Sequence, residues 1–186
     1  MDGAALWYLN RSTGVVLLVL LTLSVVLGIL ALGGRPAGRV PRFATQSLHR
    51  NVALLSVLAL AAHVVTAVLD SFVDIRWWNA LLPAGAAYEP LWLGLGTLSL
   101  DLILVVVVTS LLRTRLRHRT WRIVHVSSYL AWVSALAHTI GIGTDLQNRT
   151  AWAVVPTVCC VLVVAMAVSY RLVRLTTDPE LTGSPS

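Results

Sequence analysis

The chain has 186 residues, of which 57% are hydrophobic and only 12% are charged. In soluble domains about a quarter of all residues are charged. This composition therefore excludes an ordinary soluble domain and indicates an integral membrane protein. The formal net charge is +6, but the arginines that produce it lie between apolar segments. That pattern is typical of topology signals rather than of a nucleic-acid interface, so we expect lipid and no nucleic acid around the chain.

Five apolar segments are long enough to cross a bilayer, which takes about 20 residues per helix. The predicted spans are residues 13–33, 48–69, 91–112, 121–142 and 151–175. In lipid only a helix pairs all the backbone groups of such a segment internally. The predicted fold class is therefore all-α, a polytopic transmembrane helical bundle over residues 1–175, followed by a polar, disordered tail at 176–186.

The placement of the arginines predicts the orientation of the bundle. The segments after the first and third spans and the C-terminal region hold four, five and two arginines, against three on the opposite side. Since loops rich in arginine stay in the cytoplasm, we expect the N-terminus outside and the C-terminus in the cytoplasm of a cell membrane. Asp2 stands where a signal peptide would be basic, so the first span is expected to be retained.

Four of the five histidines lie inside the predicted spans, one pair in the second span and one in the fourth. His49 and His63 are 14 residues apart, about 21 Å along a helix, and His125 and His138 are 13 apart, about 19.5 Å. Both spans run in the same direction, so His49 is level with His125 on the inner side and His63 with His138 on the outer side. Two imidazoles at one depth can fill both axial positions of a haem iron, so the pattern favours two haem layers.

Histidines inside a membrane can also serve roles that need no haem. A zinc site needs three or four ligands, whereas each depth offers two histidines, and a proton relay usually includes carboxylates. Histidines also join helices through hydrogen bonds, which would make the chain a haem-free membrane scaffold or a small-solute transporter. The 13-residue spacing leaves a mismatch of about 140° around an ideal helix. It predicts a bulge or kink in the fourth span, or histidines that reach their ligands from different flanks.

The two histidine segments resemble the ferric-reductase-like transmembrane domain. They read LHRNVALLSVLALAAH at 48–63 and WRIVHVSSYLAWVSALAH at 121–138, and in that family two helices each carry a histidine pair with these same two spacings. The stretches PLWLGLGTLSLDL, TSLLR and HTIGIGTD are similar to small bacterial members. The family includes ferric reductases, NADPH oxidases and the haem-binding membrane subunit of a bacterial methionine-sulfoxide reductase. The resemblance implies two haems b, with His49 and His125 on the inner iron and His63 and His138 on the outer iron.

The resemblance also implies a function in electron transfer. Larger members carry a cytoplasmic module for FAD and NAD(P)H, which is not expected here because the chain stops shortly after the fifth span. The implied protein is the membrane haem component of an oxidoreductase. It would take electrons from a separate flavoprotein or quinol and pass them to an extracytoplasmic acceptor such as ferric iron, oxygen or a partner reductase subunit.

Further polar residues lie close to these histidines or at the depth of the membrane. Arg50, Arg119 and Arg122 are candidate contacts for haem propionates, since arginine pairs with a carboxylate through two hydrogen bonds, although positive-inside topology accounts for them equally well. Asp101 is expected to pair with an arginine or a hydroxyl inside the bundle, or to act beside a haem or in proton transfer. His118 is expected in a solvated loop.

Overall fold

The computed structural model describes residues 3–31, 41–70, 75–83 and 88–177, and that part of the chain is all-helical. The long helices are α1 (Gly3–Ala31), α2 (Arg42–Leu69), α3 (Pro90–Leu111), α4 (His118–Ile142) and α6 (Ala151–Thr177). A 3₁₀ turn at Trp77–Ala80 and the short α5 (Thr144–Gln147) lie in the connections. Five helices of the described part are long and apolar enough to cross a membrane, as a multi-pass membrane protein requires. The predicted all-α class is confirmed.

Several helices extend beyond the apolar runs that predicted them. α1 begins at Gly3 rather than near residue 13, and α2 begins at Arg42 rather than near residue 48. Once a helix exists, each further residue adds a backbone hydrogen bond whether or not its side chain is apolar, so hydropathy marks the middle of a helix better than its ends. α6 likewise continues through Thr177, two residues into the predicted tail, and residues 178–186 lie outside the described part.

α1 packs against α2, α4 and α6, and α3 packs against α4. The buried apolar side chains at these contacts form two clusters, Leu17, Leu60, Ile103 and Ala131 in one and Val25, Ile29, Trp132 and Ala167 in the other. Hydrogen bonds reinforce them: Trp132 Nε1 donates to Thr22 Oγ1 at 2.9 Å, and Ser99 Oγ donates to the carbonyl of Ala131 at 2.9 Å. α4 is therefore fixed to both α1 and α3 in the middle of the bundle.

Successive long helices run in opposite directions where they pack. The N-terminal ends of α2 and α4 therefore meet the C-terminal ends of α3 and α6 at one end of the bundle, which we name the arginine-rich end. Its described arginine side chains are those of Arg50, Arg113, Arg115, Arg117, Arg119, Arg122, Arg171 and Arg174. No Asp or Glu occurs in the described segments 41–50, 108–122 and 168–177 that form this end.

Candidate cofactor site

The four histidines of the second and fourth predicted spans form two facing pairs between α2 and α4. The ring centroids of His49 and His125 lie 6.1 Å apart with their planes at 68°, and we name this pair the first layer. The centroids of His63 and His138 lie 6.4 Å apart with their planes at 85°, and this pair is the second layer. The structure thus brings together the two pairs that the spacing predicted to share a depth, with the first layer nearer the arginine-rich end.

The unequal spacing of the two histidines of α4 is accommodated without a bulge. α4 is α-helical at every residue from His118 to Ile142, so the angular mismatch is taken up by the side chains. His125 lies beside Ser110 near one end of α3, and His138 lies beside Trp92 near the other end. The structure thus has no bulge in α4, and the approach of the two histidines from different flanks stays a prediction.

Three of the four rings are held through Nδ1 by a backbone carbonyl of a neighbouring helix. The N···O distances are 3.0 Å from His49 to Ser24, 3.1 Å from His63 to Asn10, and 2.8 Å from His138 to Trp92. A carbonyl oxygen can only accept, so in each ring Nδ1 carries the proton and the lone pair of the neutral imidazole is on Nε2. Within the described residues these Nε2 atoms have no hydrogen-bond partner. Proteins orient metal-ligating histidines in this way.

A glycine stands four residues after each of these carbonyls. The pairs are Asn10 and Gly14, Ser24 and Gly28, and Trp92 and Gly96. In a helix the carbonyl of residue i points toward residue i+4, whose β-carbon normally shields it, and glycine leaves the second lone pair of that oxygen accessible. A β-carbon at Gly14 would lie 3.1 Å from His63 Cε1, and one at Gly96 would lie 2.6 Å from His138 Nδ1. Gly14 and Gly96 therefore create the space in which the imidazoles of His63 and His138 lie.

His125 is held differently from the other three histidines. Its Nδ1 lies 3.5 Å from Ser110 Oγ, at the limit of a hydrogen bond. Its ring stacks on Trp121, with centroids 4.9 Å apart and planes at 24°. The ring centroids of Trp121 and His118 lie 5.9 Å apart. His118 is the first residue of α4 and its side chain is exposed, so the expectation of a loop was wrong. The three rings form a row from the arginine-rich end to the first layer.

The second layer borders a cavity of about 300 Å³ that is lined by residues of α1, α2, α3 and α4, His63 and His138 among them. This volume is at the lower end of the range for small-molecule and cofactor pockets. Among the lining residues, Arg11 forms an ion pair with Asp145 at 2.8 Å, and its guanidinium lies 3.8 Å from the ring centroid of Trp7. The ion pair connects α1 to α5 at the end of the bundle opposite the arginine-rich end.

The other candidate residues do not converge on the layers. Arg50, Arg119 and Arg122 are exposed and have no ion pair within the described residues. Arg122 lies about 60° from His125 around α4, whereas Arg119 lies about 120° from it, so Arg122 is the better placed of the two on that helix. The expected pairing of Asp101 is absent within the described residues, where its carboxyl has neither a hydrogen bond nor an ion pair.

Each layer offers two histidine side chains as metal ligands. Within the described residues no group of three or more His, Cys, Asp or Glu side chains is close enough to hold one metal ion. Each layer therefore offers a pair of imidazole nitrogens, which suits a metal whose remaining ligands come from a cofactor rather than from the protein.

Fold and site together define a multi-pass helical membrane protein with two facing histidine pairs. Residues 5–145 match DUF8596, a domain of unknown function, and the chain belongs to that family. The matched region contains the four paired histidines and the three carbonyl and glycine pairs that surround them. No curated protein matches the chain, and no solved structure matches it.

Proposed function

We propose that this protein is a di-haem b-type electron-transfer subunit of the cell membrane. The spacing of the facing imidazoles carries the proposal. A metal–imidazole bond of about 2.0–2.1 Å and a ring radius of about 1.1 Å would separate the centroids of two rings on opposite sides of one metal atom by about 6.3 Å. The two layers have separations of 6.1 and 6.4 Å.

The orientation of the rings supports the same assignment. His49 and His125 would hold the iron of one haem, and His63 and His138 the iron of the other. Three of these rings have Nδ1 committed to a carbonyl, which leaves Nε2 as the ligating atom. With both histidines of a layer holding its iron, each haem would supply one-electron oxidation and reduction and would leave no place for a substrate at the iron. The protein would therefore conduct electrons rather than bind a substrate at iron.

The charge distribution supports entry of electrons from the cytoplasm. The positive-inside rule assigns the arginine-rich end to the cytoplasm and the N-terminus to the outside, so the first layer would lie on the cytoplasmic side. The row formed by His118, Trp121 and His125 leads to it from the surface, and the guanidinium of Arg113 lies 5.9 Å from the ring centroid of Trp121. A separate flavoprotein or a quinol would donate electrons here, and Arg122 is the arginine of α4 best placed to meet a propionate.

The opposite end supports exit to the outside. The second layer borders the cavity that Arg11 and Asp145 help to line. An external group that entered this cavity would come closer to the second layer than it could if the bundle were fully packed there. The acceptor would be ferric iron, oxygen or a partner reductase subunit. Arg11 is the nearest candidate for contact with an anionic group, because it is the one arginine among the described residues that line this cavity.

The test is the haem content of the purified full-length protein. Reduced-minus-oxidised absorption should show b-type bands with two haems per chain. The His49→Ala and His63→Ala variants should each retain one haem, since each removes one ligand of one layer. The matched control is His118→Ala, which should retain both haems because His118 lies outside the layers.

Two outcomes would contradict the proposal. A protein without b-type bands would favour the haem-free scaffold or small-solute transporter, in which the histidines only join helices. A His49→Ala or His63→Ala variant with both haems would show that the histidine pairs are not the axial ligands.

A further inference from the structure

The indole of Trp121 has a buried N–H group without an acceptor. Its Nε1 is the one buried side-chain nitrogen or oxygen among the described residues that has no hydrogen bond. The other buried indole of α4 is satisfied, because Trp132 Nε1 donates to Thr22 Oγ1 at 2.9 Å. A buried donor that is left unpaired costs free energy, so native proteins almost always supply an acceptor. Trp121 therefore requires an acceptor that the described residues do not provide.

The burial of Nε1 distinguishes Trp121 from tryptophans that anchor a protein at the membrane surface. An anchoring tryptophan turns its N–H group toward water and lipid headgroups. Trp77 and Trp78 are exposed as such a role requires, with 56% and 54% of their surface accessible. In Trp121 the N–H group is withdrawn from the surface, so we expect its acceptor inside the bundle.

The surroundings of Trp121 place this N–H group beside the first layer. Trp121 stands four residues before His125, about one turn nearer the arginine-rich end, and the two rings stack with centroids 4.9 Å apart. The guanidinium of Arg113 lies 5.9 Å from the indole centroid. Arg113 has no ion pair within the described residues, and the described segments of this end contain no Asp or Glu. An N–H donor and an uncompensated positive charge together suit an anionic acceptor.

We propose that Trp121 Nε1 donates a hydrogen bond to a propionate of the haem in the first layer, and that Arg113 pairs with the same carboxylate. The inference rests on the proposed function and adds two residues to the binding of that haem. The clusters in the middle of the bundle are apolar, whereas the arginine-rich end supplies positive charge. The propionates should therefore point toward this end, and Trp121 lies between it and His125.

The hydrogen bond would have an effect that the stacking of the indole ring does not have. A donor and a positive charge beside a propionate offset its negative charge, which favours the reduced and less positive iron. Trp121→Phe keeps an aromatic ring against His125 and removes the N–H group. This variant should therefore keep two haems per chain but lower the reduction potential of the haem in the first layer.

The experiment is a redox titration of the full-length protein loaded with haem or with haem whose two propionates are methyl esters. Protein from haem-deficient cells receives either compound, and the signal of the first layer is the one that His49→Ala lacks. With haem, Trp121→Phe should lower the equilibrium constant for reduction of the first layer about threefold or more, and Arg113→Gln should lower it as well. With the ester, which carries no carboxylate charge, either variant should change it less than about 1.5-fold.

Trp132→Phe is the matched control, because it removes the N–H group of a buried indole whose acceptor is Thr22. Its effect on the first layer should be the same with haem and with the ester. If Trp121→Phe also has equal effects with both compounds, the acceptor is another anion such as a lipid phosphate, and the inference is wrong. Arg113 is exposed, so Arg113→Gln tests the carboxylate even if Trp121→Phe does not fold.

The failure of this inference can be distinguished from the failure of the proposed function. A protein that binds two haems, loses one in His49→Ala and keeps its reduction potentials in Trp121→Phe and Arg113→Gln would overturn the propionate contact alone. A protein that binds no haem would overturn both.

Discussion

The two histidine layers use the same residue type but are fixed to the protein in different ways. In the second layer both rings donate from Nδ1 to a carbonyl, at 3.1 and 2.8 Å, and both lie against a glycine. In the first layer only His49 has such a carbonyl, at 3.0 Å, and its glycine is farther away. His125 depends on the side chains of Ser110 and Trp121.

This difference identifies what sets the direction of each ring. A backbone carbonyl inside a helix cannot move without breaking the helix, so it imposes one orientation and one tautomer on its histidine. A serine hydroxyl and an indole ring can change rotamer, so the orientation of His125 has more freedom. We therefore expect the second layer to be rigid and sensitive to added volume, and the first layer to depend on side-chain contacts at the arginine-rich end.

The largest effect is expected from Gly96→Ala. A β-carbon at this position would lie 2.6 Å from His138 Nδ1, so the ring must leave the carbonyl of Trp92. Overpacking of this kind costs about 1–3 kcal/mol, and the haem content should fall from two per chain to one. Pyridine haemochrome assay and thermal unfolding of the purified protein measure both effects.

The matched control for this prediction is Gly28→Ala in the first layer. A β-carbon there would lie 3.7 Å from His49 Cε1, an ordinary van der Waals distance, so this variant should keep two haems. If Gly96→Ala also keeps two haems, or if the two variants behave alike, the second layer is no more tightly constrained than the first.

The next effect is expected from Trp121→Leu, which acts on the first layer alone. The variant removes the ring that stacks on His125 at 4.9 Å. Aromatic pairs contribute about 0.5–1.5 kcal/mol beyond their burial, so haem should leave the first layer about two- to tenfold faster. Loss of absorption to a haem acceptor measures the rate, and the slower phase from the second layer should not change.

Trp77→Leu is the control for the loss of a tryptophan as such. Trp77 lies in the 3₁₀ turn with 56% of its surface exposed, and it does not line the cavity beside the second layer. A change in both phases of haem loss after Trp121→Leu, or an equal change after Trp77→Leu, would argue against a local role of the stack.

The spans could be predicted from the sequence because the hydrocarbon core imposes length and apolarity on each helix. The beginnings of α1 and α2 could not, since residues such as Asn10 and Arg42 continue a helix without being apolar. His118 was misplaced for the same reason, because the arginine-rich segment before it gives no hydropathy signal for the point where α4 begins.

The sequence predicted the histidines of the site but not the backbone carbonyls and glycines that hold them. Equal depth on two parallel helices predicted which rings face each other, whereas the spacing says nothing about the helix that packs behind each ring. One signal was present: Gly14 and Gly28 are 14 residues apart, the same separation as His49 and His63, and antiparallel packing of α1 on α2 aligns the two sets. That haem binds between the rings stays a prediction.

The smallest effect is expected from Ser110→Ala. The 3.5 Å contact between its hydroxyl and His125 Nδ1 is at the limit of a hydrogen bond, so its loss should change the unfolding free energy by less than about 0.5 kcal/mol.

Asn10→Ala is the second-layer counterpart, because Asn10 Nδ2 donates to the His63 carbonyl at 2.9 Å and to Thr66 Oγ1 at 3.3 Å. Its loss should cost about 1 kcal/mol, within the range measured for hydrogen bonds between membrane helices. Chemical unfolding in detergent compares the two variants. If Ser110→Ala proves the more damaging, the hydroxyl rather than the indole orients His125, and the first layer is held by hydrogen bonds as the second is.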